Sequence, residues 1–399
     1  MEKNVGIIGL DFLSVCQYPW RNGSRYLHKH GWLNTGNNVF LHAVDMHINT
    51  VKGSFKLNSD PDELRDKYDV LVFPVANMIQ NRTIHIADAV GNLIEKTKLP
   101  CIIVGLCAQS EYNMEPEQFA DNLDKRILRF VEIASHYCKQ IGVRGQFTAE
   151  VLKKCGAKNV SVTGCPGHYI NPQKDLGLVI EKKLRNKIYK LAVGGSSNKD
   201  LLKTAVKLFR FAKAYNGSYI CQDDEFGIGR GLARNRIEDM PEGRIERVHK
   251  MLMPLSAEEK FVLFSKKCFK IFFHVPSWLE YASTLDLFLG TRIHGTIVAT
   301  QAKTPGICIA WDSRTRELCD TLALPSITRE QFHTFKVPEE IIANVNFNGS
   351  DFDKKRISLA NKYRNLYINE DITVSKELDN LAENTLTPEK TGSTSVVGK

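Results

Sequence analysis

Short runs of β-branched and other apolar residues recur along the chain, each followed by a stretch with apolar positions three and four apart. In the first half, runs at 5–8, 69–74, 101–105, 140–143 and 160–163 predict strands. The stretches at 37–47, 84–96, 116–135 and 147–154 predict helices between them. The strand runs are apolar at nearly every position rather than at alternate ones, which means a parallel sheet covered on both faces. The pattern breaks over 166–187, where a linker is placed, and then restarts. Strands are expected at 190–193, 218–222, 271–274, 285–289 and 306–311. Helices are expected up to 212, as a pair across 244–265, and at 277–282 and 295–302. The fold class is α/β, with two Rossmann-like doubly wound domains facing a cleft, residues 1–175 and 186–345. Amphipathic C-terminal helices over 351–384 should pack across both lobes, and the Ser/Thr/Gly-rich stretch 385–399 reads as a disordered tail. In open parallel sheets ligands lie outside the carboxyl ends of the strands, so the loops after 143, 163, 222, 289 and 311 should face the cleft.

Composition narrows the class without changing it. Of 399 residues, 43% are hydrophobic and 25% charged, a globular mix that excludes disordered, collagen-like and coiled-coil chains. No apolar run nears the ~18 residues of a membrane span. The segment Val5-Gly-Ile-Ile-Gly9 is too short and too Gly-rich for a secretory leader, so a cytoplasmic location is expected. Ten cysteines contain no CxxC pair and no metal-ligand frame, which reads as reduced, structural thiols and no metal site. The net charge of +9 is spread, densest at 182–190 and 266–270, with no aromatic interleaving of a nucleic-acid surface. Attraction to anionic lipid, handling of anionic small molecules, and a plain solvated face all fit it.

The sharpest chemistry sits in Gly290-Thr-Arg-Ile-His-Gly295, between an apolar strand and a helix. Glycines let a backbone approach a ligand, free N–H groups at a helix start attract anions, and an arginine fork binds carboxylate or phosphate in two places. His294 can carry a proton at neutral pH. A phosphate site, a proton donor and a capped helix with a packed histidine all share this pattern. Asp312-Ser-Arg314 follows the next strand, where Asp312 or Ser313 can cap a helix and Arg314 stands in its first turn, with surface pairing to Glu317 or Asp320 as the plainer reading. Arg144, in Gly142-Val-Arg-Gly-Gln-Phe-Thr-Ala-Glu150, ends a strand of the first half, and His168 reads as structural.

Together these segments resemble the polysaccharide pyruvyltransferase family. The resemblance rests on Gly290–Gly295 continuing to Thr304-Pro-Gly-Ile-Cys-Ile and Asp312-Ser-Arg314, on Gly142-Val-Arg leading to Val162-Thr-Gly-Cys-Pro, and on Asn34-Thr-Gly-Asn-Asn-Val-Phe. It spans roughly residues 30–320, with Pro74-Val-Ala-Asn77 departing from the family's glycine-rich stretch. It implies a GT-B-like pair of domains and transfer of pyruvate from phosphoenolpyruvate to two hydroxyls of a sugar as a cyclic ketal, with no cofactor beyond that co-substrate. By position, His294 would be catalytic, and Arg292, Arg314, Arg144, Ile293 and Gly295 would bind phosphoenolpyruvate. Glu225, in Gln222-Asp-Asp-Glu225, is the candidate base. The implied partner is a sugar acceptor. If it is lipid-linked, the basic surface would meet the inner membrane face. The same architecture also serves GT-B glycosyltransferases and sugar-nucleotide epimerases, and a non-catalytic anion- or lipid-binding homologue would share it.

Overall fold

The computed structural model describes residues 2–23, 26–27, 34–110, 114–223, 225–234, 236 and 242–383, with the side chain of Glu225 excepted. The tail expected at 385–399 lies outside the described residues. Two six-stranded sheets, parallel throughout, carry helices on their faces. The first contains β1 (Val5–Ile8), β2 (Lys52–Phe55), β3 (Val70–Pro74), β4 (Cys101–Leu106), β5 (Ile141–Val143) and β6 (Val160–Val162), in the order β2-β1-β3-β4-β5-β6. The second contains β7 (Leu191–Gly194), β8 (Ser218–Cys221), β9 (Phe269–Ile271), β10 (Leu287–Gly290), β11 (Gly306–Ala310) and β12 (Ser326–Thr328), in the order β12-β11-β10-β7-β8-β9. Counted from its own first strand, the second order is that of a dinucleotide-type Rossmann sheet. β1, β3, β4, β7, β8, β10 and β11 are buried along their whole length, as their unbroken apolar runs require. This is the GT-B-like two-lobed α/β fold that was expected.

The departures have local causes. β2 (KGSF) is polar and partly exposed at a sheet edge, and β12 (SIT) is three residues long at the opposite edge of the other sheet, so neither carries an apolar run. The strand expected at 271–274 is Phe269–Ile271 instead. The preceding helix reaches Cys268, and Phe273 leaves the sheet to pack with Phe12, Cys16 and Leu27 of the first lobe. The single helix expected at 116–135 is two, Pro116–Asp121 and Lys125–Tyr137, because Asp124 caps the second by accepting from the Arg126 N–H. All ten cysteines are free thiols, nine of them buried. No helix among the described residues is long and apolar enough to cross a membrane.

The lobes are fastened to each other by the segment that breaks the sequence pattern. The fully buried Arg356, on the helix Gly349–Ile368, donates to the carbonyls of His168 (3.0 Å), Gln173 (2.7 Å) and Asn171. One turn away Asp353 accepts from the N–H groups of Gly177 (2.6 Å) and Leu178 (3.2 Å), at the start of the helix Leu176–Leu184. Three carbonyls would lose a charged donor in Arg356→Met. We therefore expect it to lower stability by about 3 kcal/mol, read as a shift in urea midpoint. An unchanged midpoint would mean that apolar packing alone holds the segment.

Candidate functional site

The second sheet reverses its order between β7 and β10, and the carboxyl ends of those strands flank the crevice where such sheets take ligands. From Gly290 the chain turns through Thr291, whose N–H donates to the Gly194 carbonyl (2.9 Å). Arg292 stands at the cap of the helix Ile293–Gln301 and is ion-paired with Asp223 from the loop after β8. Asp223 Oδ2 also accepts from Ser197 Oγ (2.8 Å), which fixes the carboxylate on the arginine.

His294, in the first turn, is 4% exposed, and its Nε2 lies 3.8 Å from Cys165 Sγ of the other lobe. The helix Gly36–His47 begins against its opposite side. A Cβ on Gly36 would stand 2.7 Å from His294 Nδ1 and 2.5 Å from Gln222 Oε1, so this approach demands glycine. The joint is tied by the Thr35 N–H donating to the Gln222 carbonyl (2.8 Å).

Arg144 leaves β5 directly beneath. It is completely buried, its carbon Cζ lies 5.5 Å from the Phe40 ring centre, and the same ring lies 5.7 Å from that of His294. None of the three guanidinium nitrogens of Arg144 has a hydrogen-bond partner among the described residues. Arg314 stands in the first turn of the helix Ser313–Leu322, capped by Asp312 through the Thr315 N–H (2.8 Å). Its buried Nε lies 3.9 Å from Asp312 Oδ2 and has no hydrogen-bond partner among the described residues. Neither Glu317 nor Asp320 is its ion-pair partner.

The arginines converge. Burial first, and then the positive charges of Arg144, Arg314 and Arg292, push the His294 imidazole well below its ordinary value. Burial and the three cations thus favour the uncharged ring. Negative charge set among those cations would restore its basicity.

Two other expected binding residues, Ile293 and Gly295, are packed into the turn. The Ile293 side chain is buried in the apolar core, and the Gly295 N–H donates to the Arg292 carbonyl (3.0 Å). A Cβ on Gly295 would meet Phe288 at 2.4 Å, so the turn requires glycine there. The side chain of Glu225 lies outside the described residues. It is Asp223, two positions earlier, that reaches Arg292. His168 is fully buried between Tyr169 and Phe352, and neither ring nitrogen has a hydrogen-bond partner among the described residues.

Glu317 is the residue the sequence did not single out for the site. From the second lobe it accepts from the Thr148 N–H (2.7 Å) and the Thr148 hydroxyl (3.0 Å), capping the helix Gln146–Lys154 that follows Arg144. A Cβ on Gly145 would collide with its chain at 2.3 Å. Burial raises its carboxyl to about 7, against the lowering effect of the Thr148 bonds and Arg144.

Residues 34–313 match the family model of polysaccharide pyruvyl transferases, well over half of the chain. The chain belongs to the polysaccharide pyruvyl transferase family. No curated protein sequence matches this pyruvyl transferase. Among solved structures it is similar to S. aureus MnaA in a co-structure with UDP (10% identity, 92% of this chain and 97% of that one, TM-score 0.42). It is also similar to Neisseria meningitidis UDP-GlcNAc 2-epimerase bound to UDP-GlcNAc (11% identity, 90% and 99%, TM-score 0.41). A third is Anabaena HepE in complex with UDP and glucose (10% identity, 92% and 99%, TM-score 0.43). At these scores the likenesses carry no argument about chemistry, and what the site binds is read from its own residues.

The Glu317 clamp has a pH signature. Its folded value of about 7 lies above the ordinary 4.5, so the native state holds the proton longer than the unfolded chain. Stability contributed by this group is greatest below 4.5 and falls as pH rises toward 7. Glu317→Gln should remove a fall of about 3 kcal/mol across that window, measured by denaturant titration at several pH values. Parallel pH profiles for the two proteins would count against a buried, proton-retaining carboxyl.

Proposed function

We propose that this family member moves the pyruvyl group of phosphoenolpyruvate onto two hydroxyls of a sugar as a cyclic ketal, releasing inorganic phosphate. The observation that carries this reading is Arg144, a completely buried guanidinium with no hydrogen-bond partner among the described residues, aimed at the same imidazole as Arg292 and Arg314. A buried cation left unpaired costs several kcal/mol, a cost retained where an anion is to be bound. Three arginines, of which Arg292 is paired with Asp223 and Arg314 lies 3.9 Å from Asp312, suit a small donor carrying both phosphate and carboxylate.

On this reading the donor's charges offset the arginine field and His294 takes up a proton. The imidazolium delivers it to the methylene carbon, which becomes a methyl group, and C2 turns cationic. A first acceptor hydroxyl bonds to C2. The C2–O bond to phosphate then breaks, with the guanidinium groups of Arg144 and Arg314 drawing off the developing charge. A second hydroxyl closes the ring. One C–H and two C–O bonds form while the C=C π bond, one C–O bond and two O–H bonds break; one hydroxyl proton re-protonates the imidazole and the other leaves on phosphate. The reaction takes place in the cytoplasm, at the inner membrane face when the acceptor is lipid-linked.

Phosphoenolpyruvate should raise the melting temperature and UDP should not. Arg144→Met should lose that shift while melting at the wild-type temperature or higher without ligand, since it deletes an uncompensated charge. His294→Ala should cut phosphate release and ketal formation by about 10²–10⁴-fold with circular dichroism unchanged. Stabilisation by UDP alone would instead favour glycosyltransferase or epimerase chemistry.

A further inference from the structure

The loop after β6 brings a group to the imidazole that the mechanism above leaves unused. Beyond Val162 the chain turns at Gly164, whose φ of +70° lies in the left-handed region, and enters the short turn Pro166–Tyr169. The N–H groups of Thr163 and Gly164 both donate to the Val143 carbonyl (2.9 and 3.1 Å), and the His168 N–H donates to the Cys165 carbonyl (2.9 Å). These bonds fix the backbone on either side of Cys165. Its side chain is completely buried and faces the other lobe, where Sγ stands 3.8 Å from His294 Nε2.

A neutral imidazole carries one hydrogen on its two nitrogens, and the partner of one nitrogen decides which of them holds it. The sulfur of Cys165 accepts from the Gly167 N–H. Burial pushes the thiol up, against the lowering effect of Arg144, the Gly167 bond and Arg314, so the sulfur keeps its proton. A thiol whose sulfur already accepts one bond has its own hydrogen to give, and Nε2 is within reach of it. The hydrogen of the ring then belongs on Nδ1, at the edge that faces the start of the helix Gly36–His47.

That assignment matters because of what lies around the thiol. Arg144 and Arg314 act on Cys165 as they act on the ring, so the Nε2 edge shares the field of the cations. Arg144 is completely buried, with no partner for its guanidinium nitrogens among the described residues. An anion set among these groups meets the ring at Nε2, and a ring whose lone pair lies there can take up a proton on that side without first exchanging tautomers.

We propose that Cys165 is a positioning residue for His294: its S–H donates to Nε2, holds the neutral ring as the Nδ1–H tautomer and keeps Nε2 as the nitrogen that takes up and delivers the proton. When Nε2 is protonated the S–H rotates away and the sulfur accepts the new N–H, so the thiol neither gains nor loses a proton. The purpose of this contact rests on the pyruvyl-transfer reading, but the tautomer is measurable without any substrate.

Two-bond proton–nitrogen correlation spectra of protein labelled with nitrogen-15 histidine provide that measurement, with His294 assigned by its absence from His294→Gln. In the wild type the ring should be in the Nδ1–H form. Cys165→Ala and Cys165→Val both remove the donor, one leaving its space and the other filling it, and each should move His294 toward the Nε2–H form. Each should also lower kcat by about tenfold, the value of one lost hydrogen bond, with KM for phosphoenolpyruvate unchanged. Cys165→Ser keeps a donor and should restore both the Nδ1–H form and most of kcat. An Nε2–H ring in the wild type, a tautomer indifferent to the loss of the thiol, or a Cys165→Ser protein as slow as Cys165→Ala would each overturn the proposal. No phosphate release from phosphoenolpyruvate by the wild type, with the tautomer still dependent on Cys165, would sink the transfer reading and leave the positioning of the ring standing.

Discussion

Like charges held together away from water are the constraint around which this molecule is arranged. Arg144, Arg292 and Arg314 all act on one buried imidazole, and their mutual repulsion is relieved inside the protein by few carboxylates, Asp223 on Arg292 and Asp312 near Arg314. Such an arrangement is unfavourable for the fold and favourable for holding a small polyanion, because the electrostatic reorganisation is done before the ligand arrives. The same field sets the state of His294. Cations and burial strip its proton, so the ring becomes an acid only when negative charge stands among the arginines, which would couple donor binding to readiness for proton transfer.

That cluster persists because the two lobes are fixed on each other at many points. Glu317 caps a first-lobe helix through Thr148, Thr35 bonds to the backbone of Gln222, Ser110 and Ser313 exchange hydrogen bonds, and Arg356 gathers the connecting segment. The apolar core is itself continuous across the lobes, with Val39 and Cys165 from one side packed in the same cluster as Ile293 and Ile297 from the other. A guanidinium from β5 can then be placed against a histidine from the turn after β10 with little freedom to retreat into solvent. A hollow beside the cluster is lined from both lobes, with amides and balanced charge.

Much of this was legible along the chain. Arg292, His294 and Arg314 each lie within a strand, a turn and a helix start that follow one another in sequence, and Arg144 ends a strand in the same way. Such local units announce themselves, since an unbroken apolar run must be a covered strand and the residue after it must lie at the sheet's carboxyl edge. Edge strands such as β2 and β12 escaped because they bury little and need no apolar run. Glu317 and Asp223 escaped for another reason: their partners lie 169 and 69 residues away, and nothing local distinguishes an inward carboxylate from one facing solvent.

The sequence by itself determined the doubly wound class of both lobes and the turn-and-helix setting of the arginines. These follow from hydrophobic periodicity and residue chemistry, which act over a few positions at a time. Only the tertiary structure decided that arginines from both lobes surround one buried imidazole, that Arg292 is paired while Arg144 has no hydrogen-bond partner among the described residues, and that a charge-balanced hollow adjoins the cluster. Charge state and pairing depend on burial and on distances between groups brought together from opposite lobes, and those quantities come into being only when the chain has folded.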